Sequence, residues 1–164
     1  MLGHLLQAFR PANMSPDLVA SQLFNEDSFY PALLKDLKSC QSEAAIESPF
    51  VTKRRLDMLM PVLRKLKERR VRIVITTRDP RDNENEYCRE DALGAISQLQ
   101  HLGIQVIYAK GHHRKLVIID RKILYEGSLN VLSQADSREV MRRVESVRMA
   151  WEMVRFVGAD VPYV

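Results

Sequence analysis

The sequence predicts an α/β fold, a mixed, mostly parallel β-sheet flanked by helices on both faces. Three observations lead to it. Runs such as 71–75 (VRIVI) are short, β-branched and bounded by charge, the pattern of a buried strand. Between such runs lie longer segments with apolar residues every three or four positions, the period of an amphipathic helix. The two kinds alternate along the chain as in βαβ units, whose crossover helices return each strand to the sheet in parallel.

With 164 residues the chain has the size of one domain carrying a short appendage. Its first residues, to about Gln22, are weakly patterned and broken by Pro11, Asn13 and Pro16, so 1–22 reads as an N-terminal arm or appendage and 23–164 as the domain. Asp27 or Ser28 can cap a first helix, with Pro31 in its first turn and Leu33, Leu34 and Leu37 toward the core. A strand over 44–46 ends at Ser48-Pro49. A basic helix follows, with Leu56, Leu59, Met60, Leu63 and Leu66 on one face; Pro61 inside that pattern should kink it or delay its start. The strand at 71–75 leads into a polar loop over 79–86. The next helix carries Ala92, Ala95, Ile96, Leu99 and Leu102 on one face and stops at Gly103. Strands are expected over 104–108, 116–119 and 123–125, the last two joined by a hairpin turn at Asp120-Arg121. A last strand over 140–144 and a closing helix over 149–157 complete the pattern.

Apolar residues make up 46% and charged residues 28% of the chain, enough to bury a core and too apolar for disorder. No apolar run approaches the ~20 residues of a spanning helix, which excludes a transmembrane helix. The N-terminus has no basic segment ahead of its apolar residues and no small-residue cleavage site, so no secretory signal is expected. Cys40 and Cys88 are too few for a disulfide framework or a four-ligand zinc site, and a cytoplasmic location is expected. The net charge is only +4, yet basic residues cluster: eleven Lys and Arg against three acids over 53–81, then Lys110, Arg114, Lys115, Arg121 and Lys122. Such clusters suit a polyanion, because Lys and Arg displace counterions condensed on a phosphate backbone. Lys53, Arg54, Arg55, Lys110 and Arg114 are the expected nucleic-acid contacts, although the first cluster taken alone also fits a solvated helix face.

The chemistry is concentrated in residues 111–130, GHHRKLVIIDRKILYEGSLN. His113 and Lys115 are two apart at the start of a strand, so their side chains point to one side. An imidazole beside an ammonium is poorly suited to a metal and well suited to a phosphate. Ser128 and Asn130 repeat the two-residue spacing with a hydroxyl and an amide, and Gly127 would let the backbone approach closely. A nucleophile or base, a fixed cation and two neutral hydrogen-bonding groups make a set for handling phosphate.

These residues stand as H-x-K-x4-D-x6-G-S-x-N, and in that form the segment resembles the signature of the phospholipase D superfamily at every specified position. The likeness extends over roughly residues 25–157. SPFVTKRR (48–55) and SREVMRR (137–143) are most similar to its small nuclease-type domains, found alone or joined to bacterial helicases and restriction enzymes. The resemblance implies a phospholipase D-like phosphodiesterase domain in which His113 attacks phosphorus and forms a covalent phosphohistidine. Lys115 and Asn130 would hold the non-bridging oxygens, Ser128 would hydrogen-bond the phosphate, and neither a metal nor a cofactor is required. A second histidine must protonate the leaving oxygen. A chain with one copy of the motif implies a homodimer, with one composite site fed by His113 and Lys115 of each subunit.

Other residues have weaker assignments. Glu139, or failing it Glu126, is the expected acceptor of the histidine's second N–H. Asp120 is assigned to fixing the hairpin, His112 to a structural place, and Glu47 and Ser48 either to the cleft or to a plain strand-to-helix turn. His4 and His101 are expected at the surface, and the two cysteines as inert thiols. The leading function is therefore an endonuclease or phosphodiesterase with little sequence specificity and no stable membrane association. Its alternatives are a phospholipase D acting on phospholipid head groups and a non-catalytic dimeric DNA-binding module of a larger machine.

Overall fold

One sheet of seven strands organises the computed structural model, which describes residues 17–133, 136 and 138–158. The strands are β1 (Ala20–Phe24), β2 (Glu43–Glu47), β3 (Arg72–Thr77), β4 (Gln105–Tyr108), β5 (Leu116–Ile119), β6 (Ile123–Gly127) and β7 (Met141–Glu145). Four helices accompany them: α1 (Glu26–Ser39), α2 (Lys53–Glu68), α3 (Glu86–His101) and α4 (Val147–Val157). In space the strands run β1-β7-β6-β5-β2-β3-β4.

The pairing corrects the expected mostly parallel sheet. Only β2–β3 and β3–β4 are parallel; β1–β7, β6–β7, β5–β6 and β2–β5 are antiparallel. The cause lies in the connections. Helices α2 and α3 serve as crossovers that return β3 and β4 in parallel, whereas no helix separates β5, β6 and β7, and connections without a crossover leave neighbours antiparallel. The sheet is mixed, as expected, and antiparallel pairs predominate.

Alternation along the strands sorts the core into two layers. Val117 and Ile119 join Ile46, Ile75 and Tyr125 under α1, α2 and α3, where Phe29, Leu33, Leu56, Leu63 and Leu99 are fully buried. Leu116 and Ile118 face the other way, with Leu124 and Val144, against Ala150 and Val154 of α4. Helices thus cover both faces, three on one and one on the other.

Several local assignments shift. Asn25, rather than Asp27 or Ser28, caps α1, in a capping box with Ser28, and Pro31 lies in the second turn. Helix α2 begins at Lys53 behind the Thr52 cap and runs on through Pro61, so the proline does not delay it. Gly103 takes φ +75° just beyond α3, the left-handed conformation that ends a helix. Strand β1 escaped the sequence reading because three of its five residues are exposed and it pairs only with β7 at the sheet edge. It crosses the boundary drawn at residue 22; residues 1–16 of the expected arm lie outside those described.

The β5–β6 hairpin turns through Asp120 and Arg121, both at φ +51°, with Lys122 N–H donating to Ile119 O at 3.0 Å. The Asp120 carboxylate is itself an anchor. It accepts from the backbone N–H groups of Gln41, Ser42 and Glu43 at 2.8–3.1 Å and from the Ser42 hydroxyl at 2.8 Å. Burial alone would raise its pKa, but these donors outweigh it and bring the group down to about 2 from the usual 3.8. A carboxyl lowered on folding stabilises above its unfolded pKa and loses that contribution as pH falls through the folded value. Allowing for its partial exposure, about 1–2 kcal/mol should vanish between pH 4 and pH 2. Urea midpoints across that range should show the loss in the wild type and not in Asp120→Asn. Beside it the buried Cys40 thiol, desolvated and facing Asp120, is pushed up to about 12, as befits an inert thiol.

Candidate active site

The connection from β4 to β5 places the motif. β4 ends on the same sheet edge as its parallel neighbours β2 and β3, and β5, antiparallel to β2, begins there. Residues 109–115 therefore run along that edge, past the ends of β3 and β2, before entering β5. The loop from β6 to β7 lies on the same edge. The carboxyl ends of parallel strands, where the order of connections reverses, are a common place for ligand sites in open sheets.

His113 is exposed on this edge, and the Lys115 ammonium meets it directly. Lys115 Nζ lies 2.9 Å from His113 Nδ1 and donates to His113 O, also at 2.9 Å. Desolvation lowers the lysine pKa; Glu139 nearby raises it and Arg78 lowers it further, with a net fall. Glu139 thus stands close enough to act on Lys115 electrostatically, while the group that meets Nδ1 is Lys115. Across the ladder Gly127 N–H donates to Lys115 O at 3.4 Å, which sets the next residues, 128–130, beside the His-Lys segment.

Ser128 closes its loop through both ends: its N–H donates to Val140 O at 2.9 Å and its Oγ accepts from Val140 N–H at 3.1 Å. The hydroxyl proton is left to turn outward. Asn130 is half-buried two residues on, and its backbone carbonyl accepts from Ser133 N–H at 3.1 Å. Gly127 meets the close backbone approach expected of it. The backbone that approaches it is that of β7, where a Cβ would lie 2.1 Å from Val140 O and 2.9 Å from Met141 Cα. Asp120 sits at the far end of β5 from His113, in the hairpin anchor described above.

A buried carboxylate steadies the histidine segment. Glu47, at the end of β2, receives the Arg114 guanidinium through Nε and, at 3.1 Å, through a second nitrogen. The same carboxylate lies 3.6 Å from Nε2 of His112, which is only 6% exposed. Burial lowers the His112 pKa; Glu47 opposes that, while Arg114, Arg78 and Lys115 add to it. Arg78 Nε also donates to His112 O at 2.7 Å. Both neighbours of His113 are thereby held from below. Ser48 is fully buried; its Oγ donates to Phe50 O and accepts from Leu132 N–H.

These contacts bear on the expected nucleic-acid surface, where Arg114 is paired yet keeps a 43% exposed side chain. Arg114 is engaged by Glu47, and Arg55 is bound to Glu26 at 2.9 Å and stacked 3.7 Å above the Tyr30 ring. Arg54 and Lys110 are exposed on the site's edge, and the Lys53 ammonium makes a surface pair with Asp57. Most of the basic run over 64–72 lies at the other end of α2, some 20 Å away at a rise of ~1.5 Å per residue. Removing one partner of a pair with a buried carboxylate leaves a charge unmatched. Arg114→Gln should therefore lower the denaturant-unfolding free energy by roughly 2–3 kcal/mol, against under ~0.5 for Lys110→Gln.

Sequence reasoning missed Arg78, which bears on both His112 and Lys115. The available signal was its place directly after a buried strand of the parallel part of the sheet, where polar residues face a ligand.

The family model described as "Cardiolipin synthase, PLD-like domain" matches residues 33–156. No curated protein sequence matches the chain. Among solved structures, a phospholipase D family member, Nuc from Salmonella typhimurium, superposes with a TM-score of 0.68 at 17% identity, covering 84% of this chain and 90% of that one. NucT from Helicobacter pylori gives 0.64 at 18%, covering 84% and 92%. TrmBL2, an archaeal chromatin protein whose structure shows a novel mode of DNA binding, gives 0.57 at 11%, covering 89% and 54%. At these identities the likeness is one of fold, but the family model spans most of the chain, including the whole His-Lys-Ser-Asn segment, and the chain belongs to the phospholipase D-like family.

Proposed function

We propose that this chain is a metal-independent phosphodiesterase that hydrolyses nucleic-acid phosphodiester bonds through a covalent phosphohistidine on His113, at a site completed by a second copy. The observation that carries the reading is the contact between His113 and Lys115 on an open edge, with Ser128 and Asn130 leaving the neighbouring strand end. An arriving phosphate competes for the Lys115 ammonium, which turns from the imidazole to the non-bridging oxygens. That frees the ring to attack phosphorus. The P–N bond forms as the P–O bond to the leaving group breaks, and Lys115 and the Asn130 amide stabilise the charge gathering on phosphoryl oxygen. The leaving oxygen takes its proton from a second imidazole, supplied by His113 of the partner. Water, deprotonated by that same imidazole, then cleaves the P–N bond and regenerates the enzyme.

A long polyanion is favoured over a phospholipid by exposed Arg54 and Lys110 along the edge. In addition, no helix among the described residues is long and apolar enough to cross a membrane. The DNA binding reported for TrmBL2 is compatible with this choice. The discriminating experiment offers the wild-type protein single- and double-stranded DNA, RNA and phosphatidylcholine vesicles in excess EDTA. Cleavage of nucleic acid is expected. Release of head group from vesicles alone would establish the phospholipase, and binding of nucleic acid without cleavage would establish the DNA-binding module.

A further inference from the structure

Next to the His-Lys pair, on the side of the sheet that carries α2 and α3, lies a cleft of about 680 Å³ that the reaction above does not use. Its walls are the loop after β2, the loop after β3 and the first turns of α3. Two aromatic rings stand on these walls in the open: Phe50 is 40% and Tyr87 81% exposed. Large exposed apolar rings lining a concavity are informative because folding alone favours covering them. The Arg78 guanidinium lies 5.3 Å from the Phe50 ring centroid.

Charge divides the cleft from the phosphate site. Asp79, Asp82, Glu84 and Asp91 line it against Arg78 as its one lining cation among the described residues; Asp79 is paired with Arg81 and Asp91 accepts from Lys53 N–H, with Asp82 and Glu84 as the remaining carboxylates. Such walls repel a phosphate and accept a neutral ring that offers N–H donors. Yet the two places adjoin at two points. Arg78 lines the cleft, hydrogen-bonds the carbonyl beside His113 and bears electrostatically on Lys115. Ser133 lines it as well, and its N–H donates to the Asn130 carbonyl. Arg78 and Ser133 thus tie the cleft to the segments that carry His113 and Asn130.

We propose that the cleft is a nucleobase subsite: it receives one unpaired base adjacent to the scissile phosphate, stacked on Tyr87 and Phe50 with its amino group toward the wall carboxylates. This rests on the nucleic-acid reading and deepens it. Cytosine, adenine and guanine present exocyclic amino donors, which thymine and uracil lack. A paired base has those donors engaged and its faces stacked, so the cleft admits single strands and excludes duplex.

The test uses the full chain and three 12-mers: oligo-dC, oligo-dT and a backbone of abasic residues. Wild type is expected to cleave oligo-dC with a KM below that for oligo-dT, and at least about 10-fold below that for the abasic chain. Tyr87→Ala should raise the KM for oligo-dC by roughly 5- to 50-fold with little change in kcat, collapsing its advantage over the abasic chain, and Tyr87→Phe should restore it. Because Tyr87 is exposed, the alanine variant should fold, which its circular dichroism checks. Cleavage of oligo-dC by wild type with no change of KM in Tyr87→Ala or Phe50→Ala would overturn the subsite and leave the nuclease standing. Stronger inhibition by phosphocholine than by cytidine monophosphate would assign the cleft to a cationic head group and overturn it too. Failure to cleave any of the three chains or their oligo-rC counterpart would overturn both readings.

Discussion

Replacing His113 with alanine is expected to lower phosphodiester cleavage by roughly 10⁴-fold or more, with the fold and nucleic-acid binding retained. The side chain is exposed at a loop-to-strand junction and its contact within the chain is to Lys115, so its removal leaves no buried group unmatched. A composite site adds a second, sharper expectation. When wild type and His113→Ala are mixed in equal amounts and allowed to exchange subunits, only about a quarter of the dimers carry two histidines. Specific activity should then fall to about one quarter of the wild-type value, measured at constant total protein. Independent subunits would give one half.

Gly127→Ala should be the most damaging glycine-to-alanine change among the described residues. The new Cβ would sit 2.1 Å from Val140 O and 2.9 Å from Met141 Cα and its sulfur, contacts that only separation of β6 from β7 can relieve. Rigid backbone on the opposing strand leaves no flexible side chain end to absorb the clash. A loss of about 3 kcal/mol or more follows, near 10 °C in Tm for a chain of this size. Activity should fall with it, since Ser128 is fixed by two bonds to the same Val140. Gly94→Ala provides the contrast: nothing lies within 4 Å of its Cβ on α3, and helix propensity should make it neutral to slightly stabilising. Thermal melts of the two variants beside wild type check both statements.

The proposed site was the most legible part of this sequence, because His113, Lys115, Ser128 and Asn130 are set by local spacing just before β5 and just after β6, two paired strands. The helices were legible for the same kind of reason, their apolar faces being local patterns. What local pattern could not carry was partner choice. Strand β5 reads the same whether it pairs parallel or antiparallel, and only the lack of a crossover helix among β5, β6 and β7 decides the sheet. Arg114 and Arg55 read as available cations because their carboxylate partners, Glu47 and Glu26, lie 67 and 29 residues away. Gly127 read as a point of close backbone approach, but local pattern did not say that the approaching backbone is the start of β7. The presence of the His-Lys pair and an acidic, aromatic cleft at one end of the sheet is likewise tertiary, since it joins the ends of β2 and β3 with the start of α3.

The central claim is that phosphorus becomes bonded to His113 during turnover, and trapping that adduct tests it most directly. A single-stranded oligonucleotide labelled with radioactive phosphorus at the scissile position would be mixed with excess protein in EDTA and quenched with alkali, in which phosphohistidine survives. Peptide mapping is predicted to find the label on the peptide containing His113, lost on acid treatment and absent from His113→Ala. Cleavage that proceeds with no labelled protein, or with label on another residue, would contradict the account.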